Sequence, residues 1–328
     1  REGVRLATFR DVRRERVELM NQYSHFAVEE ADLIRPDTHA DPANWRLIRR
    51  LQTPDRYNDP QGGTVKRALV IDVETTGLST ENDDVIQLAM LPFDYEAKSG
   101  RILTVHKSKA FDRLREPAMP ISEEASLITG ITDDMVTGKH IDESDVAVVV
   151  ANTDLIIAHN ASFDRPMVEQ LWHCFSEKPW ACTLSSIDWL REGYGSGKLD
   201  YLGMQFGWFY AGHRAMADCE ACLALLAQTL PKSGRRVMEL VREAALQNDH
   251  LIRAVDAPFD LKDKLRQRGY RWRPADMPNG KVWWTMTVEP ETEISWLRSE
   301  IYGRKASIPV HPVTAFKRYS DRLWNFDE

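Results

Sequence analysis

Apolar positions along this chain follow two periods, and the places where the period changes mark its elements. Ala68–Val73 reads as a buried strand, and Val85–Leu91 and Ile102–Val105 follow it closely, which predicts a meander of three strands. Helical signals come next: Ser122 caps SEEASLIT, and Asp142 opens an Ala/Val-rich segment that runs to Ala151. Leu155–Ala158 is a further short strand. Val168, Leu171, Trp172 and Phe175 then recur at i, i+3, i+4 and i+7, so the next helix is expected to reach Phe175. A last helix places Cys219, Cys222, Leu223 and Leu226 on one face. Three strands followed by alternating helices and strands predict an α/β fold with a mixed sheet flanked by helices.

Two stretches rich in Pro, Gly and charge, DPQGGT at 59–64 and PKSGRR at 231–236, read as linkers. They divide the chain into a helical N-terminal extension (1–65), a main domain (66–231) and a small α+β unit (232–328). In the extension, Asp41-Pro42 reads as a cap and first-turn proline before ANWRLIRRL. The C-terminal unit reads as helix, strand, turn, strand, helix. Asp260 caps its first helix, Gly269 stops that helix, Asn279-Gly280 turns, and Trp284, Met286 and Val288 alternate on one strand face. Tyr270, Trp272, Trp283, Trp284 and Trp296 could stack bases, with Arg271, Arg273 and Lys281 beside phosphates. A unit this small needs large apolar side chains to be stable, so a packed core is the expectation for them.

Composition narrows the function classes. No stretch approaches the roughly 18 apolar residues of a membrane span, so no membrane association is expected. The Arg-rich start is interrupted by Glu2, Asp11, Glu15 and Glu18, unlike a transit peptide, and the expected location is the cytoplasm. Cys174, Cys182, Cys219 and Cys222 are too sparse for a disulfide scaffold and fit a reducing compartment. Cys219 and Cys222 form a CxxC, but within an apolar helical pattern they read as buried thiols rather than zinc ligands. Basic and acidic side chains number 11 and 11 over residues 1–65, 14 and 25 over 66–231, and 18 and 14 over 232–328. The acidic middle argues against a simple electrostatic sleeve for nucleic acid. It suits a cluster of carboxylates.

The segment RALVIDVETTGL places Asp72 and Glu74 two apart on a strand, hence on one face. Two such carboxylates repel each other unless a cation lies between them or both reach water. In LIIAHNASFDRPMVEQL, His159 and Asn160 end a strand, and Asp164 starts a helix, either as its cap or as a ligand held ionised by the helix N-terminus. His213 and Asp218, five apart, lie about 140° round a regular helix. Asp218 is therefore placed in the first turns and His213 on the preceding loop.

Taken in order, Asp-x-Glu-Thr-Thr-Gly-Leu, His-Asn-x-x-Phe-Asp and His-x4-Asp resemble the three motifs of the DEDD family of 3′–5′ exonucleases, in its His-containing (DEDDh) branch. The epsilon proofreading subunit of bacterial DNA polymerase III belongs to that branch. PISEEASLITGIT resembles the family's segment between the first two motifs, with Thr129 where epsilon-type sequences often carry His. KLDYLGMQFGWFYAGHRAMAD resembles the run into the third.

The resemblance implies a ribonuclease H-like sheet and two divalent cations, Mg2+ or Mn2+, held by four carboxylates. Asp72 is shared, Glu74 and Asp218 serve the first ion, and Asp164 serves the second. His213 is the general base for the attacking water. Thr75, Thr76 and Gly77 contact the terminal nucleotide, Leu78 is an apolar wedge beside its base, and His159, Asn160 and Phe163 line the pocket or buttress its turn. The implied activity removes nucleoside 5′-monophosphates from single-stranded or frayed DNA 3′ ends in proofreading or repair, with a polymerase or repair partner left open. An RNA-trimming enzyme is the alternative, since the motifs do not distinguish the sugar. A catalytically silent docking module is disfavoured because all five metal and base positions are filled. All five precede residue 232, so hydrolysis of very short oligonucleotides is expected to survive removal of 232–328.

Overall fold

A computed structural model describes residues 46–303 and 306–326, and Ile48–Glu328 fall in one compact unit. The elements run in the order β1 (Arg49–Arg50), β2 (Val65–Thr75), β3 (Val85–Glu96), β4 (Ile102–Val105), β5 (Phe111–Leu114), α1 (Glu123–Thr129), α2 (Asp133–Val136), α3 (Glu143–Ala151), β6 (Leu155–Ala158), α4 (Ala161–Leu171), β7 (Trp180–Cys182), α5 (Leu199–Gln205), β8 (Trp208–Phe209), α6 (Ala215–Leu226) and α7 (Val237–Leu246). There follow β9 (Asp249–Ala254), α8 (Lys262–Gln267), β10 (Arg271–Arg273), β11 (Val282–Thr287), α9 (Pro290–Leu297) and β12 (Val310–Val313).

The main sheet has the order β4-β3-β2-β6-β7, with β5 also pairing β3. The meander pairs antiparallel and β2, β6 and β7 pair parallel, so the sheet is mixed as expected. β2 is its spine. Leu69, Ile71 and Val73 face one cluster that contains Val168 and Met167 of α4. Ala68 and Val70 face the opposite cluster, which contains Cys219, Ala221, Cys222 and Leu223 of α6. A strand buried on both faces needs this near-continuous apolar run. Helix α6 lies deep in the core, and its thiols are packed rather than poised: Cys219 Sγ points at the carbonyls of Val70 and Ala89, and Cys222 Sγ meets Thr183 Oγ1. Val237, Met238, Val241 and Ala245 of α7 complete the same cluster.

Several expectations need correcting. The helical reading of 1–65 lies largely outside the described residues, and where 46–64 are described they contain no helix. Instead Arg49 and Leu51 donate to the carbonyls of Gly207 and Phe209, pairing β1 with β8. Pro54 and Pro60 further along cannot donate to a helical ladder. The helix expected to reach Phe175 stops at Leu171, because Trp172 turns extended and Phe175 sits in the 3-10 turn that follows. Both aromatics are buried against one core, so the apolar period outlives the helix. Strands β5, β7, β9 and β12 were not anticipated; β5, β7 and β12 are edge strands of four residues or fewer, whereas β9 is a six-residue inner strand whose apolar run is broken by Arg253. Val288 falls beyond β11, and Asp260 lies inside a 3-10 turn rather than capping α8.

Candidate active site

Parallel pairing of β2 with β6 brings their carboxyl ends side by side, which is where open α/β sheets expose their sites. Ala68 and Val70 are covered by α6, but Asp72 and Glu74 continue the same face to the strand's end, where α6 is only beginning. Asp218 lies in the first turn of α6, and oxygens of Asp72, Glu74 and Asp218 lie within 4.8 Å of one another. Asp164, in the first turn of α4, approaches from the other side and lines the same cavity of about 700 Å³. Asn160, not Asp164, is the N-cap of α4. That leaves the Asp164 carboxylate free of capping duty.

Every residue singled out above lines this cavity: Asp72, Glu74, Thr75, Thr76, Gly77, Leu78, His159, Asn160, Phe163, Asp164, His213 and Asp218. The turn after β2 is braced by Asp83, whose carboxylate accepts from Thr76 Oγ1 (3.1 Å) and the Ser79 amide (2.8 Å). A Cβ on Gly77 would sit 2.5 Å from that carboxylate, so only glycine lets the turn close. The turn presents Leu78 85% exposed at the cavity mouth. Thr75 Oγ1 donates to the Gly77 carbonyl, so it also stiffens the turn. His159 is anchored by Nδ1 to Thr183 Oγ1 at 2.8 Å. Its burial, partly offset by Gly197 and Asp200, holds its pKa down at about 4, so it stays neutral. His213 is exposed on the loop before α6 with φ +61°, a left-handed conformation that a histidine adopts at some cost.

The carboxylates repel one another. Burial, then the charges of Asp164, Asp218 and Glu74, push the Asp72 pKa well above the usual range. Burial and Asp218 push Glu74 up to about 7, against the pull of Arg214. Burial outweighs the backbone donors at Asp164, which also rises to about 7. Among the described residues none of the four carboxylates has a salt-bridge partner. Asp218 accepts from the Tyr210 hydroxyl (2.8 Å) and the Arg214 amide (3.1 Å). Burial still raises its pKa. Oxygen donors gathered with no basic side chain bridged to them among the described residues could hold a divalent cation.

Some of this was invisible to spacing. Tyr210, eight residues before Asp218, carries no periodic signal of its own. Ser122, Glu124, Ile128 and Thr129 of the α1 region, with Leu199, form another wall of the cavity. Thr129 donates to the Ala125 carbonyl and accepts from the Ile131 amide, so it serves the turn at Gly130.

Residues 69–226 match the RNase_T family model, described as "Exonuclease", over just under half of the chain. The PolC-type DNA polymerase III of Listeria welshimeri is 31% identical over 208 residues, covering 60% of this chain and 14% of that protein. The PolC-type DNA polymerase III of Bacillus subtilis is 31% identical over 180 residues, covering 51% and 12%. The chain thus spans about a seventh of these relatives or less. Among solved structures, exonuclease X in complex with 5′ overhanging duplex DNA is 26% identical and has a TM-score of 0.41, over 54% of this chain and 99% of that one. E. coli exonuclease I in complex with a dA16 oligonucleotide is 19% identical with a TM-score of 0.44, over 77% and 64%.

Proposed function

We propose that this chain, whose residues 69–226 match the exonuclease family model, is a phosphodiester hydrolase, a 3′–5′ exonuclease of the DEDDh branch. It releases nucleoside 5′-monophosphates from single-stranded or frayed DNA 3′ ends, in proofreading or repair. In this reading residues 66–231 carry the chemistry and 232–328 are an accessory unit. The observation that carries it is the cavity itself, where three motifs far apart in sequence meet at four unpaired carboxylates beside an exposed histidine and an exposed leucine.

Asp72 would be shared by two divalent ions, with Glu74 and Asp218 on one and Asp164 on the other. When bound, the ions neutralise the carboxylates, activate the attacking water and stabilise the departing 3′ oxygen. The chain's own groups do the rest. His213, exposed on its loop, takes the water's proton on its ring nitrogen. Tyr210 and the Arg214 amide hold Asp218 in one orientation. Leu78 packs against the terminal base, and the braced turn from Thr75 to Asp83 fixes where that base stops. A closed seat for one terminal nucleotide explains exonucleolytic rather than internal cleavage.

The test is degradation of matched DNA and RNA oligonucleotides labelled at the 5′ end, with Mg2+ or Mn2+. A ladder of shortening DNA products, resistance of a blocked 3′ end and intact circular strands are expected. Cutting of circles would sink the reading, and preferential shortening of RNA would replace DNA as its substrate.

A further inference from the structure

Strands β9 to β12 form a second sheet of order β10-β11-β9-β12, antiparallel throughout, with α8 and α9 in the chain order βαββαβ. This is the split βαβ arrangement. Its two faces differ sharply. One buries Ile252, Ala254, Leu265, Tyr270, Trp283 and Leu297 and is the packed core expected of the aromatics. On the other, the register sets Arg253, Trp284 and Arg271 in one row across three strands, with Arg273 beside Val282 in the next. Each of the three arginines lies over an aromatic ring: Arg271 over Trp284 at 5.7 Å, Arg253 over Phe326 at 4.5 Å and Arg273 over Trp324 at 4.0 Å.

Packing alone does not call for this arrangement. This face too is covered, by Trp324 and Phe326 against Leu251, Val282 and Val313, yet it takes in the guanidinium groups of Arg253 and Arg273, which burial desolvates and an aliphatic cover would not need. The basic residues of α8 have carboxylate partners, Lys264 with Glu300, Arg266 with Asp263 and Arg268 with Glu293. Arg253, Arg271 and Arg273 form no salt bridge among the described residues, and Arg273 directs its Nε to the Pro278 carbonyl. Arg253 Nε is buried without a hydrogen-bond acceptor, and so is Nε2 of His311, whose strand neighbour Leu251 lies on this face. Burial alone lowers the Arg253 pKa, as expected where no acid is near. Arg253 and Arg271, held on aromatic rings with no salt bridge among the described residues, suit phosphate oxygens and stacked bases, and Arg273 shares their face with Asp321 nearby.

The segment over this face also reaches the helix that carries Asp164: Asp321, beside Arg273, precedes Arg322, whose Nη2 meets Glu169 of α4 at 3.1 Å. Resting on the exonuclease reading above, we propose that the arginine–aromatic face of the second sheet binds the phosphodiester strand upstream of the nucleotide seated in the cavity. Arg271, exposed at the sheet edge, meets the strand first, and Arg253 and Arg273 follow it across the face.

The experiment measures binding, in EDTA, of single strands of about 4 and about 16 nucleotides to the full chain and to Arg271→Gln and Arg271→Gln/Arg273→Gln. For the longer strand the double variant should bind at least about fivefold more weakly. Its log-affinity should fall less steeply with log salt, by about 0.7 for each phosphate that is no longer neutralised. The short strand should bind and, with Mn2+, be hydrolysed as by the wild type. The single variant removes an exposed side chain, so half the slope change there would separate a missing phosphate partner from misfolding. An unchanged slope for the longer strand in both variants would overturn the proposal and leave these arginines as packing. Because binding is read without metal, failure of the wild type to hydrolyse anything would count against the exonuclease reading and not against this one.

Discussion

Asp164 and Arg165 are adjacent on α4, both are buried, and the fold treats them in opposite ways. Arg165 is 0% exposed, and each of its three guanidinium nitrogens donates. Nε reaches Glu169 at 2.7 Å, Nη1 reaches the Ala315 and Arg318 carbonyls at 2.9 and 2.8 Å, and Nη2 reaches Phe316 at 2.7 Å. Glu169 is answered in turn by Arg322 and by the Ser320 hydroxyl. Among the described residues Asp164, 3% exposed, has no salt-bridge partner, and Asp72, Glu74 and Asp218 are its carboxylate neighbours. A buried charge with every partner in place is architecture. One left unpaired among like charges keeps a place for something the chain does not encode.

The largest effect follows from breaking the unpaired side. Asp72→Ala or Asp164→Ala should abolish metal-dependent hydrolysis while the fold persists, since each removes a repelling carboxylate from the metal-free protein. Melting temperature without metal should be unchanged or higher. Near wild-type turnover in either variant, measured on a labelled oligonucleotide, would end the two-ion assignment.

Breaking the paired side should do the reverse. Arg165→Met leaves Glu169 and three carbonyls without their donor, a loss of about 3–5 kcal/mol by urea denaturation. Deleting residues 304–328 removes those three carbonyls, of which that of Ala315 also receives the Trp180 amide. That variant should lose activity even on the shortest oligonucleotides, contrary to what the position of the catalytic residues suggests. Full stability and activity after the deletion would show that this segment is peripheral.

What the sequence conveyed and what it hid divide along the same line. Asp72 and Glu74 stood out because acids inside an apolar run break a local pattern, whereas Asp164, His213 and Asp218 joined them only through the order of the three motifs. The strands β2 and β6 were legible because continuous burial leaves an unbroken apolar run. Arg165 gave no such signal: beside Pro166 it looked like part of a helix start, and its acceptors lie about 150 residues away. Backbone carbonyls have no side-chain identity, so no reading of residue types could anticipate them. The same limit hid β12, and the end of α4 at Leu171 was masked by apolar residues that stay buried after the helix stops.

A smaller effect is expected at His213. It is exposed and carries none of the packing, so His213→Ala should leave stability and metal binding unaltered and lower turnover by about 100-fold, the usual worth of a positioned base. A single-turnover rate within about threefold of the wild type would assign the proton transfer to solvent.

The finest test of the comparison is the pH dependence of stability without metal. Glu74 and Asp164 have folded pKa values raised to about 7 from 4.5 and 3.8. Their protonated forms favour the fold, so that stability is complete below about pH 4 and is lost as pH rises through about 7. Glu169 behaves oppositely: burial works against it, but Arg165 and Arg322 prevail and hold its pKa below 4.5. Its contribution is present above that value and fades as pH falls through its folded pKa. In EDTA the unfolding free energy should therefore peak between about pH 4.5 and 6 and decline toward pH 8, by on the order of 2–3 kcal/mol. Saturating Mg2+ should flatten the alkaline limb, because ionised carboxylates then have their partner. Arg165→Met should flatten only the acid limb, because the guanidinium is what stabilises the ionised Glu169. A flat EDTA profile from pH 5 to 8 would mean that the four carboxylates are already relieved by water, and the contrast between Asp164 and Arg165 would lose its energetic basis.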